Sequence, residues 1–123
     1  MNYRELEDHC LSLPAVTVHT PWGDSRVFKV GGKMFAMITM DGKKPSGVWF
    51  KAGEASARIL TSIKGIEPCP YLARAHWVAC NSIKVLKARE MREYIVRAHR
   101  LVADGLSRKK RAALGIVDME PAG

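Results

Sequence analysis

The sequence has few cysteines, the residues that cross-link small proteins as disulfides and bind metals as thiolates. Its 123 residues include three cysteines, Cys10, Cys69 and Cys80, an odd number without a C-x-x-C pair. This spacing argues against a disulfide framework and against a thiolate zinc site. Because free cysteines are commonly small buried core residues, we expect three reduced and inert thiols.

Long apolar runs are also missing. No stretch approaches the roughly 20 apolar residues that a membrane-spanning helix needs. The N-terminal segment MNYRELEDHC lacks the apolar region of a secretory signal. Hydrophobic residues make up 47% and charged residues 26% of the chain, as in globular domains. We therefore expect a soluble, cytoplasmic protein with a single domain over residues 1–115 and a frayed tail over residues 116–123.

Catalytic signatures are scarce. The four histidines are not spaced as metal ligands, and no G-x-S-x-G, P-loop or G-x-G-x-x-G motif is present. His9 and Cys10 are neighbours, and adjacent residues on a helix point about 100° apart, which disfavours a catalytic Cys–His pair. We expect no metal, no cofactor and no enzymatic activity.

Acidic residues are outnumbered, and the imbalance is local. The formal net charge is +8 and the isoelectric point is near 9.7. Most of the excess lies between Lys84 and Arg111, where Glu90, Glu93 and Asp104 are the acidic residues. This bias suits an acidic partner, although basic surfaces are also maintained for solubility alone. The basic residues of this segment are Lys84, Lys87, Arg89, Arg92, Arg97, Arg100, Arg108, Lys109, Lys110 and Arg111.

The first half of the fold can be predicted from periodicity. Apolar spacing over residues 2–13 predicts a helix that Pro14 ends, with Asn2 as the N-cap and Glu5 completing a capping box. Three short extended runs follow, separated by a Gly-Gly pair and by DGKKPSG, as in antiparallel hairpins. These runs predict a three-stranded meander with strands over Val27–Val30, Lys33–Met40 and Gly47–Ala52.

A second helix is expected over Glu54–Ile63, where Ala55, Ile59 and Ile63 share one face and Gly65 supplies the C-terminal cap.

The remaining elements are an extended run over His76–Cys80 and a long amphipathic helix over about Ala88–Leu106. The predicted order is α-β-β-β-α-β-α. Consecutive strands followed by helices indicate an α+β fold, in which an antiparallel meander sheet is backed by helices on one face.

Four segments resemble the MmcQ/YjbR family. They are VFKVGGKMFAMI, VWFKA, GIEPCPYLARAHWVAC and YIVRAHRLVADGLSRKKRAAL, in that order, and the resemblance spans about residues 6–114. Its most specific parts are GKMF in the hairpin, the proline and tyrosine ahead of the Trp77 strand, and Leu101-Val102. The resemblance implies a small bacterial α+β domain with a YjbR-like fold and a "double wing" DNA-binding motif. The chain departs from the family at Ala98-His99, where many members carry a Ser-Tyr pair.

This resemblance and the charge distribution together suggest DNA binding. Lysines at a hairpin tip and arginines on the last helix would contact phosphates, with a solvated surface as the alternative for both groups. Because no recognition helix groups residues that read base edges, we expect non-specific binding. The candidate residues are Lys43, Lys44, Arg89, Arg92, Arg97, Arg100, Arg108, Lys109, Lys110 and Arg111.

The tryptophans suggest an alternative function. Trp49 and Trp77 lie in apolar strands, where we expect them to pack in the core. Trp22 lies in a loop with proline and glycine, and could line a small pocket with His19 and Asp24. The alternative is therefore a small-ligand or protein-binding module that uses the loop from His19 to Asp24.

Overall fold

The protein is built on one antiparallel sheet with helices against one face. A computed structural model describes residues 1–20 and 25–116. The helices are α1 (Tyr3–Ser12), α2 (Glu54–Leu60), α3 (Ala88–Asp104) and α4 (Arg108–Ala113). The strands are β1 (Val16–His19), β2 (Arg26–Val30), β3 (Lys33–Asp41), β4 (Lys44–Lys51), β5 (Ile66–Pro68) and β6 (Trp77–Cys80), and a short 3-10 turn covers Ala73–Ala75.

The strands form a sheet in the order β1-β2-β3-β4-β6-β5, and every neighbouring pair is antiparallel. The predicted meander is its β2-β3-β4 portion, and the predicted α+β class is confirmed. Val27, Met37, Trp49 and Ala79 are direct partners in one row across the sheet. Alternate residues point to the opposite face, towards the helices.

An irregularity in the β2–β3 pairing shapes the core. The register shifts between Phe28 and Lys29, so that Phe35 lies outside the ladder while Ala36 pairs with Phe28. Phe35 and Ala36 are both buried. A bulge lets two successive residues reach the same side of a sheet, and Phe35 thereby packs edge-on against His99 with ring centroids 5.3 Å apart.

The helices bury their apolar faces on this side of the sheet. Leu6 of α1, Leu60 of α2 and Ile95 of α3 belong to the same buried cluster. The strands contribute Phe28, Ala36, Ile38, Val48, Phe50, Val78 and Cys80 to it. Within the described residues, no helix is both long enough and apolar enough to cross a lipid bilayer.

The start of α1 confirms the predicted capping box. The Asn2 side-chain oxygen accepts a hydrogen bond from the Glu5 backbone at 2.8 Å, and the Asn2 backbone donates to the Glu5 carboxylate at 3.1 Å. Leu6 and Cys10 are the buried residues of this helix. Residues spaced i, i+4 lie on the same face of a helix, which explains why the apolar spacing predicted this helix correctly.

The prediction for α2 was wrong about its buried face. The helix ends at Leu60, short of Ile63, and its buried residue is Leu60 with Ala57 packed beside it. Ile59 is 65% exposed and Ile63 37% exposed. A helix of seven residues makes about two turns, so its apolar periodicity carries little information.

Three elements were not predicted, namely β1, β5 and α4. β1 and β5 are the two edge strands, and each has few buried residues to give an alternating pattern. α4 begins at Arg108, beyond the predicted end of the last helix at about Leu106. The Ser107 side chain caps this helix by accepting a hydrogen bond from the Lys110 backbone at 3.1 Å.

The sheet has two ends that matter for the site. We call one the Gly31 end; it contains the β2–β3 turn, the end of β4 and the start of β6. We call the other the Lys43 end; it contains the β3–β4 turn. β3 has nine residues, so the two turns are about 30 Å apart at roughly 3.3 Å per residue.

Candidate nucleic-acid interface

α3 packs on the sheet with an apolar face and exposes a polar face. Near its C-terminus a side chain at Gly31 would lie 2.6 Å from Leu106, so this part of the chain abuts the Gly31 end. Further back, Tyr94 stacks on Phe50 with ring centroids 5.8 Å apart. The N-terminus of α3 therefore points towards the Lys43 end.

The inner face of α3 largely follows the sequence prediction. Its buried residues are Met91, Ile95, Ala98, His99, Val102 and Ala103. Leu101, although apolar, is 43% exposed. The remaining side of the helix carries the predicted arginines.

These arginines are not equivalent. Arg89 forms an i, i+4 ion pair with Glu93, with Nε and Oε1 3.3 Å apart. The Arg97 guanidinium lies over the Tyr94 ring, 5.8 Å from its centroid. Arg92 is exposed, and the described residues place no carboxylate within ion-pair distance of it. Arg89 therefore contributes less positive field than Arg92.

An open depression lies on this outer face of α3. It has a volume of about 550 Å³ and is lined by Arg92, Glu93, Val96 and Arg97. Two guanidinium groups can present paired donors to a phosphate oxygen, which is the geometry for which arginine is suited. Glu93 opposes such an anion, but it is already engaged by Arg89.

α4 adds a second group of cations. Arg108, Lys109 and Lys110 are exposed. The Arg111 guanidinium donates through Nη1 to the Asp104 carbonyl oxygen at 3.1 Å, which ties α4 to the last turn of α3. Since α4 follows Leu106 directly, this cluster starts at the Gly31 end of the sheet.

The hairpin-tip lysines lie elsewhere. Lys43 is in the β3–β4 turn, and Lys44 is the first residue of β4, paired with Asp41. Both side chains are exposed at the Lys43 end. α4 is thus tied to the last turn of α3 at the Gly31 end, whereas Lys43 and Lys44 lie at the opposite end of β3.

Of the three residues of the alternative pocket, the structure describes His19. His19 ends β1 and is exposed, with its Nε2 atom 3.0 Å from the Thr17 hydroxyl. Trp22 and Asp24 lie outside the described residues. Trp77 is buried as predicted, whereas Trp49 is only partly buried.

The thiols are unsuited to nucleophilic chemistry. Burial raises the pKa of Cys10 to about 12, with the Glu7 carboxylate adding to the effect. Burial alone raises the pKa of Cys69 to about 11 and that of Cys80 to about 12. The thiolate is therefore a minor species at neutral pH. In residues 1–20 and 25–116, no three His, Cys, Asp or Glu side chains are grouped as metal ligands would be.

Sequence reasoning missed three cations at the Gly31 end, of which Lys33 and Arg74 are exposed and Lys51 is partly buried. Lys33 starts β3, Lys51 ends β4, and Arg74 lies in the short 3-10 turn before β6. They are far apart in the sequence, so no local charge run marks them. Tyr71, in the loop after β5, was noted only as part of the family resemblance.

Comparison with known proteins identifies the family. A sequence model of the YjbR family matches residues 11–101. The fold is similar to the crystal structure of protein DR2400 of Deinococcus radiodurans, a DUF419 domain, with a TM-score of 0.81 and 25% identity over 98% of this chain and 92% of that one. A Pseudomonas syringae protein solved by structural genomics has a TM-score of 0.66 and 22% identity, covering 82% of this chain and 98% of that one.

No protein with a curated description matches the sequence. The family model nevertheless covers most of the chain, including all six strands and α3 as far as Leu101. The match to the YjbR model and the similarity to the DUF419 crystal structure agree. The chain belongs to the YjbR family.

Proposed function

We propose that this protein binds DNA without sequence specificity, through contacts between the α3–α4 cations and backbone phosphates. The supporting observation is the exposure of five cations on two successive helices that the Arg111–Asp104 contact ties together, namely Arg92 and Arg97 on α3 and Arg108, Lys109 and Lys110 on α4. Each cation that neutralises a phosphate releases condensed counterions, which favours binding.

The hairpin tip has a secondary part in this proposal. Lys43 and Lys44 lie about 30 Å from the Gly31 end, by the length of β3. They therefore reach the same duplex only when it extends along the whole molecule. Lys44 also lies opposite Asp41, whose carboxylate weakens the local positive field.

Three charge-reversal pairs test the proposal in a fluorescence anisotropy titration with a labelled duplex. The pairs are Lys109→Glu with Lys110→Glu in α4, Lys43→Glu with Lys44→Glu at the tip, and Arg4→Glu with Lys64→Glu as a control. All three change the net charge equally, and the control residues are exposed and lie outside the proposed surface.

We expect the α4 pair to weaken duplex binding by at least about tenfold at 100 mM salt. At this salt concentration the loss of one phosphate contact lowers the association constant by roughly tenfold. The tip pair should have a smaller effect and the control the smallest. Equal losses in all three variants would mean that only net charge matters, and the proposed surface would be wrong.

A further inference from the structure

Tyr71 occupies an unfavourable turn position. The Leu72 backbone donates to the Cys69 carbonyl at 3.2 Å, closing a four-residue turn with Pro70 second and Tyr71 third. Tyr71 has φ of +64°, the left-handed conformation that a type II turn requires at its third position. Glycine or asparagine usually fills this position because a larger side chain is strained there.

The side chain gains no packing in return. Tyr71 is 103% exposed, so its ring contacts solvent on all sides. An aromatic ring that is both strained and unpacked does not serve the stability of the fold. Strained residues of this kind cluster at binding sites, where the surrounding structure holds them.

The turn around Tyr71 is firmly held. Cys69 is buried, and its backbone donates to the Trp77 carbonyl at 3.1 Å. Trp77 donates back to the Leu72 carbonyl at 3.2 Å, and Ala52 donates to the His76 carbonyl at 2.9 Å. The ring is therefore presented from a fixed point at the Gly31 end, beside the end of β4.

Cations lie at the same end of the sheet as this ring. Lys51 ends β4 opposite Trp77, and Lys33 starts β3 opposite Val30. Arg74 follows Tyr71 within the same loop. Acidic side chains near this end include Glu54, which is 3.8 Å from Arg58, Asp104 on the last turn of α3, and the exposed Glu67 of β5.

These groups come from three neighbouring parts of the sheet. The β2–β3 turn that adjoins Leu106 is followed across the sheet by β3, which begins at Lys33, by β4, which ends at Lys51, and by the loop before β6. Neighbouring strands are about 4.8 Å apart, so the distance from the turn to the loop is roughly 15 Å. Lys33 points to the helix side of the sheet with its partner Val30, and Lys51 to the opposite side with Trp77, so cations flank this end on both faces.

We infer that the Gly31 end binds single-stranded nucleic acid, with an unpaired base stacked on Tyr71 and phosphates held by Lys33, Lys51, Arg74 and α4. Stacking of bases on aromatic rings within a basic groove is the usual mode for single strands. In a duplex the bases are already stacked, so Tyr71 would contribute little. This inference rests on the proposed phosphate binding and adds a strand preference to it.

A Tyr71→Gly variant separates stability from binding. Glycine relieves the strain at φ of +64°, so the melting temperature should equal or exceed that of the wild type. Affinity for a fluorescein-labelled oligothymidylate should fall by roughly 5- to 100-fold, the range for loss of one base–aromatic stack. Affinity for a duplex of equal length should change by less than about twofold. A Tyr71→Trp variant should retain single-strand binding.

Two results with the Tyr71→Gly variant would overturn the inference. One is unchanged oligothymidylate affinity in Tyr71→Gly, and the other is an equal loss for single strand and duplex. An oligouridylate arm shows whether RNA and DNA share the site, and binding of either supports the inference. An acidic peptide that bound through Tyr71 while oligothymidylate did not would also contradict it.

The Lys109→Glu and Lys110→Glu pair keeps this test distinct from that of the proposed function. If the α4 pair abolishes duplex binding while Tyr71→Gly changes nothing, the phosphate surface stands and the stacking site fails. If the α4 pair changes neither ligand, the proposed function itself is wrong.

Discussion

His99 shows how one side chain fixes the junction between α1 and the sheet. It is 7% exposed, and its Nε2 atom is 2.8 Å from the Pro14 carbonyl oxygen, which can only accept a hydrogen bond. Ala15, the next residue, has φ of +59°. His99 thus anchors a strained turn, which is a structural role.

We expect His99→Ala to lower the free energy of unfolding by about 2–4 kcal/mol, because it removes a buried hydrogen bond and the edge contact with Phe35. Urea denaturation measures the difference. His9→Ala is the control. The His9 ring also approaches a backbone carbonyl, that of Arg92 at 3.2 Å, but this contact is exposed to solvent. Its cost should stay below about 1 kcal/mol. Equal costs for the two variants would contradict the anchoring role.

At the scale of single residues, the sequence predicted the chemical type of the functional side chains better than their positions in the fold. The type and number of cations were visible, and so was the burial of Trp77. The exposure of Tyr71 was not, because its φ angle depends on a turn closed by Cys69 and on hydrogen bonds to β6. A proline just before Tyr71 was the available sign of a turn at this point.

The elements that were predicted correctly have strong local signals. α1 has a complete capping box, β2–β4 have glycine-containing turns, and α3 has 17 residues over which the apolar stripe repeats. The missed elements, β1, β5 and α4, are short and have few buried side chains. Their stability comes from neighbours in the sheet or from a cap, neither of which is a periodic pattern.

α4 illustrates the importance of its cap. It has six residues and no buried side chain, and Ser107 accepts the Lys110 backbone hydrogen bond. We expect Ser107→Ala to increase hydrogen exchange at the first amides of α4, as loss of an N-cap costs about 1 kcal/mol of helix stability. Amides of α3 should be unaffected.

The matched variant is Ser107→Asp, which restores an acceptor and should preserve protection. If Ser107→Ala leaves α4 protection unchanged, contacts other than the cap must hold this helix.

At the scale of the whole molecule, the buried thiols make stability depend on pH. Their pKa values are raised to about 12, 11 and 12, above an unfolded value near 9. Above pH 9 the unfolded state loses these protons while the folded state keeps them, so stability falls as pH rises towards 12. The contribution is fully present below pH 9.

Urea denaturation between pH 8 and pH 11 measures this effect. Each thiol should lower the free energy of unfolding by roughly 1 kcal/mol for every pH unit above pH 9. Cys80→Ala will be less stable at every pH because of its cavity, but its stability should decline less steeply. Parallel curves for Cys80→Ala and the wild type would show that this thiol does not titrate differently on folding.

The whole-molecule charge pattern also explains what could not be predicted about the interface. The sequence showed a basic segment over α3 and α4 and a basic hairpin tip, but not their separation. Because Leu106 adjoins Gly31, α4 begins at the Gly31 end, whereas the β3–β4 turn with Lys43 is at the other end of β3. Helix direction relative to the sheet is a property of packing, and no local pattern encodes it.

The most direct test of phosphate binding is the salt dependence of duplex affinity. Each neutralised phosphate contributes about −0.9 to the slope of log K against log salt concentration. With four or more cations engaged, we predict a slope of about −3.6 or steeper for the wild type, and one shallower by about 1.8 for Lys109→Gln with Lys110→Gln. A wild-type slope near zero, or the same slope in both proteins, would contradict the account.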